Sequence, residues 1–402
     1  MAHVNYEPFF HIMNPNKLNL LKRRKKYITI VLDCNIRSKN EKEKKSVIQN
    51  EVIRQMKLHR KTKLTKDIAV QIITYAPDRK APSIAVWIKK FIDILYDDRI
   101  LENKEDKDFL PFNNDSQIRY LCTQYKLCKT DTKTVIKIRS FSSFVADVNK
   151  TASFIDEHQD PPSFGDDYFE TKKNKERYLH FMTEEQFNTY LKMDLLKSQI
   201  SFGESSSFNE NFIRLWFPKK QKFVQNSSTT DTKMAESLLD YRICIKLPET
   251  PKNGTKNKEL KQEYKKVLKT ELKKYLARFE LLKQIEIPVI LSVIYYPGKD
   301  RREKDLDNIL YQYIMPVINE FLLSIWKENI VSESTNELNE NMKIPEKFEK
   351  GFCVGYEIIK LPKKIEKEGA IYMNFNFATG KESLIDSIDR KLDNFLESER
   401  FL

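Results

Sequence analysis

The stretch REKDLDNILYQYIMPVINEFL (302–322) carries the residues with the clearest capacity for chemistry. Asp305 and Asp307 stand one residue apart, Asn308 follows, and an apolar helical run begins. Carboxylates spaced i, i+2 on extended chain point to the same side. Two hard oxygen donors on one side suit Mg²⁺, which takes one or two carboxylates and completes its shell with water and phosphate oxygens. Mn²⁺ is its natural substitute. Such an ion polarises a phosphodiester and activates water for in-line attack. Arg301, Arg302 and Lys304 crowd the front of the motif and would hold a phosphate backbone. The competing reading is a well-capped helix, with Asp307 or Asn308 as N-cap and the acids offsetting the macrodipole. Taken alone, the four letters DLDN leave the cap as the simpler reading.

The rest of the chain must position that motif. Its 402 residues, 40% apolar, suffice for two or more packed cores. A formal net charge of +13 favours an acidic partner, nucleic acid ahead of an anionic membrane surface. No run approaches the ~18 apolar residues of a membrane span, and the N-terminus has no signal-peptide core. A cytoplasmic protein without membrane contact is therefore expected. The five cysteines (Cys34, Cys122, Cys128, Cys244 and Cys353) form no CxxC pair and read as reduced, packed thiols.

A repeat organises the chain. YITIVLDC (27–34) reads as a strand and 41–61 as a charged helix. IAVQIITYAP (68–77) is the next strand, 84–98 a second helix, and IRYLCTQY (118–125) and TVIKIRSF (134–141) are strands. The second half runs in the same order: strand 241–248, charged helix 257–279, strand 287–298, the helix of the quoted motif, and strands 351–360 and 370–377. Two α+β units are expected, at 1–141 and 241–378. Between them, 142–240 reads as an insert and linker with one helix at 183–199, where Thr183 and Gln186 are spaced as a capping box. Residues 379–402 form an amphipathic helix with Leu384, Ile385, Ile388, Leu392, Phe395 and Leu396 on one face. That face packs on its own core or docks a second copy or a larger assembly.

The second half resembles the RusA-type Holliday-junction resolvases, a family of small endodeoxyribonucleases. The resemblance spans about 241–377: a strand with LPETP (247–251), a Lys-rich helix with an internal tyrosine, LKQEYKKVLK (260–269), a strand ending in aromatics, a basic loop, and DxDN opening a helix. It implies Mg²⁺-dependent cleavage of branched DNA. Asp305 and Asp307 would be metal ligands, Asn308 would support them, and Arg301, Arg302, Lys304, Lys265 and Lys266 would contact DNA. The family's lysine, one helical turn after the asparagine, is replaced here by Tyr311. Its third acid falls nearest to Glu333 in IVSESTNEL (330–338).

The first half resembles a degenerate copy. Ser83 and Ala85 fall at the aspartate positions and Val86 at the asparagine, yet Lys89 stands where the family keeps its lysine, and NNDSQI (113–118) offers Asp115 as third acid. One interpretation is a covalent pseudo-dimer with one working centre, in which the first unit serves as structural partner and DNA-binding surface. It requires only that each unit keep its residues around its own helix. Lys89 is then a solvated helix position and Asp115 a turn residue. The other interpretation is a composite site, with Lys89 or Asp115 reaching Asp305 and Asp307. The expected activity is a metal-dependent endonuclease on branched DNA. The alternative is an inactive DNA-binding or structural subunit that keeps the fold.

Overall fold

The computed structural model describes residues 15–33, 41–76, 83–128, 132–158, 245–251, 258–278, 289–298, 304–329, 353–361, 369–377 and 383–398. The fold is mixed α and β. Among the described residues are eight strands, β1 (Ile28–Leu32), β2 (Ile68–Ala76), β3 (Ile118–Leu127), β4 (Lys133–Ser140), β5 (Ile245–Pro248), β6 (Val289–Tyr296), β7 (Cys353–Lys360) and β8 (Ala370–Phe377). All eight join one sheet in the order β1-β4-β2-β3-β7-β6-β8-β5. The central strands are rich in β-branched and aromatic residues and buried on both faces, as β6 shows with VILSVIYY buried throughout. The edge strand β1 alternates buried and exposed residues.

The pairing repeats itself. In the first half β1 and β2 each run antiparallel to β4, and β2 runs parallel to β3. In the second, β5 and β6 each run antiparallel to β8, and β6 runs parallel to β7. Both parallel pairs carry an irregularity at their first step, at Ile68/Ala69 and at Val289/Ile290. The halves meet where β3 and β7 pair antiparallel, with Cys122 opposite Glu357 and Gln124 opposite Gly355. A Cβ on Gly355 would lie 2.4 Å from the Thr123 carbonyl oxygen, so this seam requires glycine there.

Helices cover both faces. On one face lie α2 (Glu41–Leu58), α3 (Ile84–Tyr96), α5 (Lys258–Arg278), α6 (Leu306–Ile309) and α7 (Met315–Asn329), a π-helical segment at Leu310–Ile314 joining the last two. Stripes at i, i+4, i+8 seat the charged helices: Ile48, Val52 and Met56 on α2, Tyr264, Leu268 and Leu272 on α5. Helix α3 and the α6–α7 run show the same order of buried and exposed positions from Ser83 and Asp305 onward, until α7 gains one extra buried residue at Met315. The π segment absorbs that extra residue.

On the other face lie α1 (Pro15–Arg24), α4 (Phe141–His158) and α8 (Leu384–Ser398). One sequence expectation changes here and one open alternative closes. Residues 142–158, read as the start of an insert, continue α4, and α4 follows the last strand of its half as α8 follows the last strand of its own. The two helices pack together. The apolar face of α8 is buried at Leu384, Ile385, Ile388 and Leu392, so it packs on its own core rather than waiting for a partner. Buried Arg139 on β4 ties the layer together, pairing with Asp147 of α4 at 3.1 Å and Asp389 of α8 at 2.9 Å. Helix α1 was missed in the sequence. The expected helix at 183–199 lies outside the described residues.

Candidate functional site

Asp305 is the N-cap residue of α6, and Ser83 is the N-cap residue of α3, each in extended conformation after its strand and loop. Neither side chain makes a capping hydrogen bond. The cap reading of the sequence named Asp307 or Asn308; both lie inside the first turn instead. Asn308 Nδ2 donates to Asp305 Oδ2 at 3.2 Å, holding that carboxylate beside the helix start. Asp307 is only 2% exposed.

The described residues on either side of 299–303 are tied to the LPETP segment. Glu249, in LPETP, accepts from the Tyr295 hydroxyl at 2.8 Å and from the Gly298 backbone N–H at 3.2 Å. A Cβ at Gly369 would strike Glu249 Oε2 and the Tyr296 carbonyl, so glycine permits this packing. Lys304 completes the clamp: Nζ donates to Thr250 Oγ1 at 2.6 Å and to the carbonyls of Thr250 and Pro251. This corrects the expectation that Lys304 grips DNA. Lys304 is 3% exposed and its ammonium donates to Thr250 and Pro251, so it ties the start of α6 to the LPETP segment rather than to a phosphate. Arg301, Arg302 and Glu333 lie outside the described residues. Lys266 is exposed and Lys265 half-buried on α5.

The decisive contact crosses the seam. Lys89 Nζ, on α3 of the first half, lies 2.7 Å from Asp307 Oδ2 and 3.1 Å from Asp115 Oδ2, and 3.3 Å from Asp93 Oδ1 one helical turn along. Asp115 is aimed by its own loop: Gln117 accepts from the backbone N–H groups of Asn113 and Asn114 and donates to the carbonyls of Leu64 and Lys66. The Tyr96 hydroxyl reaches Asp115 at 3.4 Å. The expectation that each half keeps its residues around its own helix is therefore not met. Lys89 is not a solvated helix position, and Asp115 is more than a turn residue. The reason is the β3–β7 pairing, which sets α3 against α6 and the π segment. Asp93, Tyr96 and Glu249 were not singled out in the sequence. Asp93 was discoverable, since it lies at i+4 from Lys89.

The electrostatics follow from burial and crowding. Burial raises the Asp307 carboxyl above its ordinary pKa against the opposing charge of Lys89, and Asp115 and Asp305 add to the rise. Burial also raises Asp305, followed by the charge of Asp115. Desolvation of the Lys89 ammonium is outweighed by Asp307, Asp93 and Asp115, which hold its pKa above the ordinary lysine value. Lys360, buried at the end of β7 and donating to the Lys304 carbonyl, offsets part of the charge at Asp305. The oxygen donors are of the type a hard divalent cation takes. As they stand, no three acidic, histidine or cysteine groups among the described residues form a cation cage; the Lys89 ammonium bridges Asp115 and Asp307.

No protein-family model and no curated protein matches this chain. No helix among the described residues is long and apolar enough to cross a membrane.

Proposed function

We propose that this protein is a metal-dependent endodeoxyribonuclease of RusA type, acting on branched DNA such as Holliday junctions inside the cell. Its two halves would form a covalent pseudo-dimer that shares one composite centre. The observation that carries the reading is the meeting of Lys89 and Asp115 with Asp307 across the seam. The first half keeps the lysine and third acid of the family pattern and lacks the aspartate pair. The second half keeps the pair and lacks the lysine. Complementary losses make sense when what remains converges on one place.

When bound, Mg²⁺ or Mn²⁺ supplies Lewis acidity at the phosphodiester and lowers the pKa of water. Asp305 and Asp307 would hold it, with Asp115 in the part first given to Glu333. Asn308 keeps the Asp305 carboxylate oriented. The Lys89 ammonium turns toward a non-bridging phosphate oxygen and stabilises the charge that grows there during attack. Lys265 and Lys266 give sequence-independent phosphate contacts.

The test is cleavage of a synthetic four-way junction and a linear duplex, with Mg²⁺ and with chelator, by wild type and Asp307→Asn. Metal-dependent junction cleavage by wild type alone is expected; equal cutting by Asp307→Asn overturns the reading. A second reading, an inactive junction-binding protein, is favoured by the Lys89 ammonium, which bridges Asp115 and Asp307 as a structural ion pair would. It gives salt-sensitive binding and no metal-dependent product.

A further inference from the structure

Resting on the endonuclease reading, we infer that each chain makes a single incision: it nicks one strand of a branched duplex and does not make the paired cuts that separate a four-way junction into two duplexes. The argument comes from the pseudo-symmetry of the fold. The residues around the Lys89–Asp307 pair come from both halves, so exchanging the halves defines a reciprocal position in the same chain. Its helix start is α3, with Ser83 as N-cap where α6 has Asp305. Counting along both helices from these caps, Ala85 answers Asp307, Val86 answers Asn308, and Tyr311 answers Lys89. The matching order of buried and exposed positions supports this register.

Among the described residues, the reciprocal position thus offers a hydroxyl, a methyl, an isopropyl group and a phenol. Ala85 is buried, and Val86 and Tyr311 are 39% and 42% exposed. None of these side chains supplies a carboxylate to pair with a divalent ion, and none carries a permanent positive charge. The lysine has been lost on one side and the aspartate pair on the other, and among the described residues only one position brings the pair and the lysine together. Where a symmetric assembly would hold two strands at two equivalent centres, this chain holds one reactive phosphodiester.

The chemistry at that phosphodiester is hydrolysis. The water oxygen bonds to phosphorus as one P–O bond to deoxyribose breaks. The departing sugar oxygen takes up a proton, and the water's other proton is lost from the new phosphate monoester or to solvent. The strand then ends in one phosphate and one hydroxyl, and its partner remains intact.

The test uses a supercoiled plasmid that extrudes a cruciform. A single nick releases the supercoiling, so the cruciform is reabsorbed and the product is a nicked circle. Paired cuts in one binding event give a linear plasmid. Wild-type chain with Mg²⁺ is expected to give nicked circles. It is then diluted into excess Asp307→Asn chain, so that any associated pair holds at most one intact centre. Linear plasmid that persists under this dilution shows two cuts by one chain and overturns the inference alone. Absence of any metal-dependent product overturns the endonuclease reading and the inference with it. Mn²⁺ titration followed by electron paramagnetic resonance gives a readout apart from cleavage. Tight Mn²⁺ binding is expected in wild type and lost in Asp307→Asn; binding retained undiminished in Asp307→Asn, but lost on Ser83→Ala, places an ion at the reciprocal position and overturns the inference.

Discussion

Lys89 and Asp307 belong to opposite halves of the chain, and their charged atoms lie 2.7 Å apart. Neither helix makes the contact alone. It exists because β3 and β7 pair in one register and bring the start of α6 beside the middle of α3.

Substitutions at this contact separate a structural ion pair from a working centre. Lys89→Met, Asp115→Asn and Asp307→Asn are each expected to reduce metal-dependent junction cleavage by about 100-fold or more, the scale of losing a charge-stabilising group. Binding of the same junction by gel shift should survive in all three. Ser83→Ala, at the reciprocal helix start, should cut at the wild-type rate. If Lys89→Met cuts normally, the lysine is structural.

The crowded carboxylates predict a pH dependence of stability. The folded pKa values of Asp305 and Asp307 are raised by burial. Below the ordinary carboxyl range, near about pH 4, both folded and unfolded chains are protonated and nothing is lost. As pH rises through that range and then through the raised folded values, the folded state must release protons it holds more tightly, and stability falls. In chelator, the unfolding midpoint of wild type should therefore decline from acid toward neutral pH by more than that of Asp305→Asn. Mg²⁺ or Mn²⁺ at 100 times its Kd should restore about 2.7 kcal/mol to wild type at neutral pH. Urea titrations with and without metal check both outcomes.

Two lysines close in sequence pattern to DNA ligands should behave differently. Lys266 is exposed on α5. Lys266→Ala should weaken junction binding and reduce the slope of log affinity against log salt by about 1. Lys304 is buried and donates to Thr250 and Pro251. Lys304→Met should leave that slope unchanged and lower folding stability by about 3 kcal/mol, the cost of breaking buried hydrogen bonds to a charged group. Salt-dependent binding isotherms beside denaturant curves distinguish the two. A reduced salt slope in a fully folded Lys304→Met would restore it as a phosphate contact.

The seam itself can be tested at Gly355. An added methyl would meet the Thr123 carbonyl oxygen at 2.4 Å. Gly355→Ala should destabilise the fold by about 1–3 kcal/mol, as overpacking does. Cleavage should fall in the protein that remains folded, because β3 and β7 would separate and carry Lys89 away from Asp307. Thermal melts and cleavage rates below the melting range measure the two effects separately.

The repeat was legible in the sequence because periodicity is a local signal. The eight expected strands appear where alternation and β-branched content placed them, and the charged helices reveal their buried stripes at spacing four. Asp305 and Asp307 could be picked out by residue type and spacing, whereas Lys89 and Asp115 stood out only through the family resemblance. Other features were not legible. The role of Lys304 depends on burial, which its charge disguised. Residues 142–158 looked like an insert because their partner, α8, lies at the far end of the chain. The composite arrangement was beyond sequence for a physical reason: a side chain's neighbours across a sheet seam are set by strand register, and register is fixed by long-range packing and hydrogen bonding. The sequence by itself determined which groups are present and that each half lacks what the other keeps. Only the tertiary structure decided that Lys89, Asp115 and Asp307 share one place, because only the pairing of β3 with β7 brings the two halves together.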